Sequence, residues 1–258
     1  MRIRMFEILP TISIFTLFVS AMAFSETYDA PKATAAPVID GNLADWAGVP
    51  SIFLGGDTWE ANGGTWDNEA DSSATLMIMW DSGNLYVGSV VSDEAHINTQ
   101  TEGSIWNGDN QQYMIDPTGN RTDTSDVVYE FGYALAGANS DEAMEWRWLQ
   151  NASAPADFSS EFAIVRDDAA GTTTYEVCLP KEQIAPAELT LGNTLGFGLI
   201  ANDGDPGAEG QAGWVGWGSH AIVFGKDAGE LQELVLSGEA AAVRPAGKLT
   251  VSWGSLKD

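Results

Sequence analysis

Basic residues are scarce: 11 Lys and Arg stand against 37 Asp and Glu, a net charge of −26 over 258 residues. A surface so negative repels phosphate backbones and anionic lipid, which excludes nucleic-acid binding and leaves cations or neutral ligands as partners. Cysteine is nearly absent. The one residue, Cys178, cannot close an internal disulfide, and its alternation with Tyr175, Val177 and Leu179 marks a buried structural thiol rather than a nucleophile. With only His96 and His220, a histidine-based zinc site or a nucleophile-histidine dyad has little material. His96, just past the strand end at Asp93, reads as a surface loop residue. No GxSxG, P-loop or CxxCH occurs, and no spacing flags an acid/base pair of carboxylates, so the chain is expected not to be an enzyme.

Long hydrophobic runs are also lacking, with one exception. Ile12 to Ala23 follows Arg2 and Arg4, is too short to span a bilayer comfortably, and ends on the small-x-small sequence Ala21-Met22-Ala23. This reads as a secretory signal peptide over residues 1–23, an uncleaved anchor being the competing reading. Export without a disulfide framework predicts a periplasmic, cell-surface or extracellular protein.

Helical periodicity is almost missing. Short alternating or continuous apolar runs recur instead at Ala74–Trp80, Leu85–Val91, Gln111–Ile115, Val127–Leu135, Phe162–Val165, Thr172–Leu179, Leu195–Asn202, Gly213–Trp217 and Leu231–Leu236. Nine such runs between Gly, Asn, Asp and Pro clusters predict an all-β, antiparallel, jelly-roll-like β-sandwich with long loops. The clearest hairpin is ATLMIMW-DSGN-LYVGSVV, with Asp81-Ser82-Gly83-Asn84 as its turn. Long loops are expected at Gly55–Ser73, with Trp59 and Trp66, and at Ala136–Ser160, with Trp146 and Trp148. The layout expected is a signal peptide at 1–23, an N-terminal linker at 24–36, one sandwich domain at 37–237, and an Ala/Gly/Pro-rich linker with a C-terminal tail at 238–258.

Several motifs occur in a fixed order: Pro37-Val38-Ile39-Asp40-Gly41-Asn42-Leu43-Ala44-Asp45-Trp46; Trp80-Asp81 through Leu85-Tyr86-Val87 to Val91-Ser92-Asp93; Ile105-Trp106-Asn107-Gly108-Asp109 through Ile115-Asp116; then Gly196-Phe197 to Asn202-Asp203, and Trp217. As a set they resemble family 9 carbohydrate-binding modules, of the broader DOMON-like group, from about Pro37 to Leu236. The resemblance implies a β-sandwich, structural calcium, and a sugar held between two aromatic rings.

A sugar offers hydroxyls around weakly polar C–H faces, so its site needs flat aromatic surface and planar hydrogen-bonding side chains. Trp106 sits where the family carries its first stacking tryptophan; the competing reading packs it under the Gly55–Ser73 loop. Strand alternation puts Asp109, Gln111, Tyr113 and Ile115 on one face and Asn110, Gln112, Met114 and Asp116 on the other. Gln112 falls on the family's hydrogen-bonding glutamate and keeps an acceptor while adding a donor. Asn202 and Trp217 complete the implied set. For the second ring, Phe224 is nearest by spacing, with Trp214, Trp146 and Trp148 as substitutes. Ile200 stands where better-known members have a glutamine, and Glu130 about where they have an arginine.

The oxygen-rich turns at Asp40-Gly41-Asn42 with Asp45, and at Asn202-Asp203-Gly204-Asp205, suit a hard cation such as Ca²⁺ or plain turn chemistry equally. Asp40, Asp45, Asp203 and Asp205 are the candidate metal ligands. The expected function is therefore a secreted, non-catalytic carbohydrate-binding protein for a polysaccharide or oligosaccharide. Two alternatives remain: a haem-binding periplasmic domain, using Met114 or Met144 with Lys226, His96 or His220, and a calcium-dependent surface or matrix adhesion protein.

Overall fold

The computed structural model describes residues 26–122, 128–207 and 210–239. The signal peptide expected at 1–23 and residues 240–258 of the expected linker and C-terminal tail lie outside them. The described strands are β1 (Thr27–Lys32), β2 (Ser51–Leu54), β3 (Trp59–Ala61), β4 (Ser73–Trp80), β5 (Asn84–Ser92), β6 (Asn110–Asp116), β7 (Tyr129–Ala136), β8 (Glu142–Leu149), β9 (Glu161–Asp167), β10 (Thr172–Pro180), β11 (Thr194–Asp203), β12 (Gly213–Trp217) and β13 (Gln232–Glu239), with one short helix, α1 (Ser219–Val223). Among the described residues no helix is long and apolar enough to cross a membrane.

The strands run in the order β8-β7-β6-β11-β13-β1-β4-β5-β10-β9, with β12 and β3 added beside β11 and β2 beside β4. The two ends of this path fold over each other as a sandwich. Leu76, Ile78, Val87, Tyr175 and Val177 from one layer meet Tyr113, Phe131, Phe197 and Leu199 from the other in a single core. Alternation decides which side chains go there. Tyr113 and Ile115 of β6 point inward, while Met114 joins a smaller outer cluster with Ile200, Trp214 and Ile222 under α1. Pairing is mostly antiparallel, but β1 runs parallel to β13 and, at Lys32 and Trp80, to β4.

All nine apolar runs form strands. Three expected irregular segments do not stay irregular: 24–36 contains β1, Gly55–Ser73 contains β3, and Ala136–Ser160 contains β8. The motif at Ile39 to Trp46 is structural. Trp46, 2% exposed, covers the outer face of β5 and β10 beside Tyr86 and Cys178. Glu176 ties it down, accepting from Trp46 Nε1 at 2.7 Å and from the Asp40 and Gly41 amides at 3.0 and 2.7 Å. Gly88 leaves room for that indole, since a Cβ there would lie 2.9 Å from its ring. Burial pushes the Cys178 thiol up to about 11, as an inert structural cysteine requires.

Candidate functional site

The outward face of β6, β7, β8 and β11 carries a cleft of about 340 Å³, lined by Gly103, Trp106, Gln112, Glu130, Trp148, Leu149, Gln211, Ile222, Val223 and Lys226. Each wall follows from local backbone. Phe131 and Tyr133 take the core side of β7, so Glu130 and Gly132 face out. Opposite them, β8 skips a residue: Glu130 pairs with Leu149 and Phe131 with Arg147, leaving Trp148 without a partner position. Such a bulge re-aims the side chains beside it, and both Trp148 and Leu149 reach the cleft. The Trp148 ring lies over bare Gly132, where a Cβ would come within 2.2 Å of it. Its Nε1 donates to the Gly103 carbonyl at 2.8 Å.

Trp106 is 43% exposed and projects from a firmly held turn. The Ile105 carbonyl accepts from Asn98 Nδ2 at 2.8 Å and Asn110 Nδ2 at 2.7 Å, and the Trp106 carbonyl accepts from Asn202 Nδ2 at 3.2 Å. Asn107 Oδ1 accepts from the Gln211 amide at 3.0 Å, anchoring the facing loop. The ring is thus displayed on a rigid base, which lowers the entropy cost of stacking a ligand on it.

At the cleft's charged corner, Lys226 Nζ donates to Glu130 Oε1 at 2.5 Å. Glu130 is 1% exposed, and its Oε2 has no hydrogen-bond partner among the described residues. Burial raises the Glu130 pKa and Lys226 partly offsets it. Lys226 sits at φ 60, an uncommon conformation for a side-chain-bearing residue that is found disproportionately at binding sites. The cleft therefore offers two indole surfaces, two primary amides, one spare buried acceptor and an ammonium.

Of the residues expected from sequence, Trp106 and Gln112 line this cleft. Asn202 supports it from behind: it is 3% exposed, donates to Asn110 Oδ1 at 3.0 Å, and accepts a short hydrogen bond from Gln211 Nε2. Trp217 belongs elsewhere. It is 3% exposed in the inter-sheet core against Tyr28 and Phe197, with Nε1 donating to Glu26 at 3.0 Å. Trp214 is buried under α1, and Phe224, 59% exposed, packs edge-on against Trp214 and His220. Trp148 supplies the second aromatic surface in their place. Gln211 escapes the sequence reading; Glu130 enters it only as standing about where better-known members have an arginine, and Lys226 only as a candidate haem ligand. The one signal was Glu130, a lone charge inside the apolar run Val127–Leu135. Of the residues weighed for haem, Met114 is fully buried and Lys226 Nζ is held by Glu130.

A second polar centre lies where β5 and β11 end and β6 begins. Asp71, Glu94 and Asp205 bring one carboxylate oxygen each within 4.8 Å of one another, as do the ligand atoms of Asp93, His96 and Asp109. Asp203, 3% exposed, has an Oδ2 without a hydrogen-bond partner among the described residues. Burial first, then the charges of Asp205, Asp93, Asp71 and Glu94, push its pKa up to about 8. An orphaned buried carboxylate among like charges fits a cation-binding set. Asp40 and Asp45 take no part: Asp40 Oδ1 accepts from the Asn42 amide at 2.9 Å and Asp45 Oδ2 from the Val38 amide at 3.1 Å, which is turn chemistry. His96 is not a surface residue; its side chain is 6% exposed.

The fold is shared with solved carbohydrate-binding modules. A family 9 module from Caldicellulosiruptor kristjanssonii in complex with cellotriose superposes with a TM-score of 0.61 at 16% identity, covering 86% of this chain and 100% of that one. A family 9 module from the same organism, in complex with glucose, gives 0.58 at 15% identity, covering 85% and 100%. No curated protein matches. The model of the carbohydrate family 9 binding domain-like family matches residues 39–231, and the chain belongs to that family.

Proposed function

We propose that the protein is an exported, non-catalytic carbohydrate-binding module that holds a neutral sugar in the Trp106–Trp148 cleft. One observation carries the reading: a half-exposed tryptophan, its turn fixed by three side-chain amides, stands over a cleft that also presents Gln112 and Gln211, with the Glu130–Lys226 pair in its wall. Indole faces take the C–H surface of a pyranose, while planar amides and a carboxylate take its hydroxyls. The net charge of −26 disfavours an anionic glycan. The two structural neighbours hold cellotriose and glucose, so β-glucan fragments are the first ligands to try. Titration calorimetry with cellotriose on the wild type and Trp106→Ala tests the reading. Loss of a central stacking indole costs about 2 kcal/mol, roughly thirtyfold in Kd. A variant that folds and binds equally well would show that Trp106 is not the platform.

Calcium belongs to the same proposal. Asp71, Glu94 and Asp205, with Asp203 beside them, would hold it through oxygen alone, the donor type that Ca²⁺ requires. The ion would neutralise carboxylates that now repel one another and so stiffen the ends of β5 and β11.

A further inference from the structure

Next to the all-oxygen group, a ring nitrogen of the buried His96 faces the buried Asp109 carboxyl at 3.9 Å with no hydrogen bond between them. His96 Nε2 lies 2.9 Å from the Leu135 carbonyl oxygen. That oxygen only accepts, so Nε2 carries the ring hydrogen, and in the neutral imidazole Nδ1 presents a lone pair. Nδ1 faces Asp109 Oδ2 at 3.9 Å, beyond hydrogen-bonding distance, with the two side chains 6% and 5% exposed.

Asp93 supplies a third donor within 4.8 Å of the other two. All three are held from behind. Asp93 Oδ1 accepts from the Ala95 amide at 2.7 Å, Asp109 Oδ1 from Gly204 at 2.8 Å, and Asp109 Oδ2 accepts a short bond from Ile97. Each of these oxygens keeps a second lone pair. Bare Gly108 and Gly204 let the Ile97 carbonyl approach, since a Cβ on either would lie 2.8 or 2.9 Å from it. This close packing brings the His96 turn onto the start of β6.

We infer that Asp93, His96 and Asp109 form a binding site for a borderline divalent cation of the Zn²⁺ class, separate from the oxygen-only group of Asp71, Glu94 and Asp205. Imidazole nitrogen suits Zn²⁺ and its neighbours, whereas Ca²⁺ takes oxygen. A metal-bound imidazole usually donates its other N–H to a carbonyl or carboxylate, which is the His96–Leu135 arrangement. The ligand atoms of a tetrahedral centre with bonds of about 2.1 Å lie about 3.4 Å apart, so the 3.9 Å gap closes with a shift of about half an ångström. The orphaned Asp203 Oδ2 is an independent sign of missing positive charge. Asp109 feels both Asp93 and Asp203. Arg166, the cation acting on Asp93, spends its guanidinium on the Asp93 carbonyl, Thr173 and Asp168. One dication would leave most of six neighbouring carboxylates uncompensated.

The folded chain, stripped with chelator and then saturated with CaCl₂, is titrated with ZnCl₂ by calorimetry, and long-range ¹H–¹⁵N spectra of its histidines are recorded. The expected result is one Zn²⁺ per chain in the presence of Ca²⁺, with the His96 Nδ1 resonance moving while Nε2 keeps its proton. His96→Gln should weaken Zn²⁺ by more than the roughly tenfold typical of losing even a supporting partner, and leave Ca²⁺ binding in place. Abolition of Zn²⁺ uptake by Ca²⁺, or uptake without movement of Nδ1, would overturn the inference. The wild-type spectra decide the matter even if His96→Gln does not fold.

Discussion

Replacing Asp203 by Asn should make the metal-free protein more stable at pH 8, although it removes a buried carboxylate from the end of a central strand. Asp203 titrates near 3.8 in the unfolded chain and about 8 in the folded one. Between those values the unfolded chain has released a proton that the folded chain still holds. Stability therefore falls as pH rises through that window and is level above it. At about 1.4 kcal/mol per tenfold change in proton affinity, the penalty reaches at most about 6 kcal/mol; relaxation and water entry reduce it to about 2–3. Asn keeps the shape and cannot ionise. For a domain of this size 1 kcal/mol shifts Tm by about 2–4 °C, so the variant should melt about 5–10 °C higher than wild type in chelator at pH 8, and close to wild type at pH 4. With CaCl₂ at about a hundred times Kd the order narrows or reverses, because wild type gains about 2.7 kcal/mol from the ion while the variant loses a neighbour of its ligands. Thermal melts followed by circular dichroism at both pH values give the comparison. A variant less stable than wild type in chelator at pH 8 would mean that the carboxylate is satisfied, and the reasoning fails.

Trp217→Leu should cost about 3 kcal/mol in urea denaturation, since it opens the core against Tyr28 and Phe197, yet leave cellotriose affinity of the folded fraction unchanged. Gly132→Val places side-chain atoms where the Trp148 ring now lies; calorimetry should show sugar affinity reduced about tenfold with little loss of Tm, because the displaced indole moves toward solvent. Chelation of the wild type should also weaken cellotriose binding, by several-fold, since the residues next to Asp109 and Asp203 hold the Trp106 turn; equal Kd values with and without chelator would refute that link.

Strands were legible wherever apolar residues ran continuously or alternated with small polar ones. β8 escaped because its Glu-Ala-Met-Glu-Trp-Arg-Trp-Leu sequence places charges between its large residues, and an edge strand needs only one covered face. β1 escaped because Asp29 and Lys32 interrupt it, and its stability comes from pairing with β13 at the far end of the chain. Trp106 and Gln112 were readable from position on or beside one strand. Trp148 was only one of several substitutes for the second ring, and Gln211 and Lys226 were not readable as cleft residues, since separate segments bring all three to the cleft. The error over Trp214 and Trp217 was avoidable. Residues three apart on a strand point to opposite faces, and Trp217 pairs with core-facing Leu199, so both could never have served one ligand.

The same alternation explains how one sandwich edge carries a sugar cleft and a cation centre together. β6 and the turn before it bring Asp109 and Asn110 side by side, and β11 ends in Asn202 and Asp203. In each pair the aspartate enters the acidic cluster and the asparagine turns under the Trp106 turn, the two asparagines being joined at 3.0 Å. Repulsion among the aspartates pushes on the backbone that carries the asparagines, and any cation that draws the carboxylates together tightens the same backbone. Burial first, and then the charges of neighbouring carboxylates, raise the pKa values of Asp109 and Asp203, and that repulsion acts on the backbone carrying the asparagines that hold Trp106 in place.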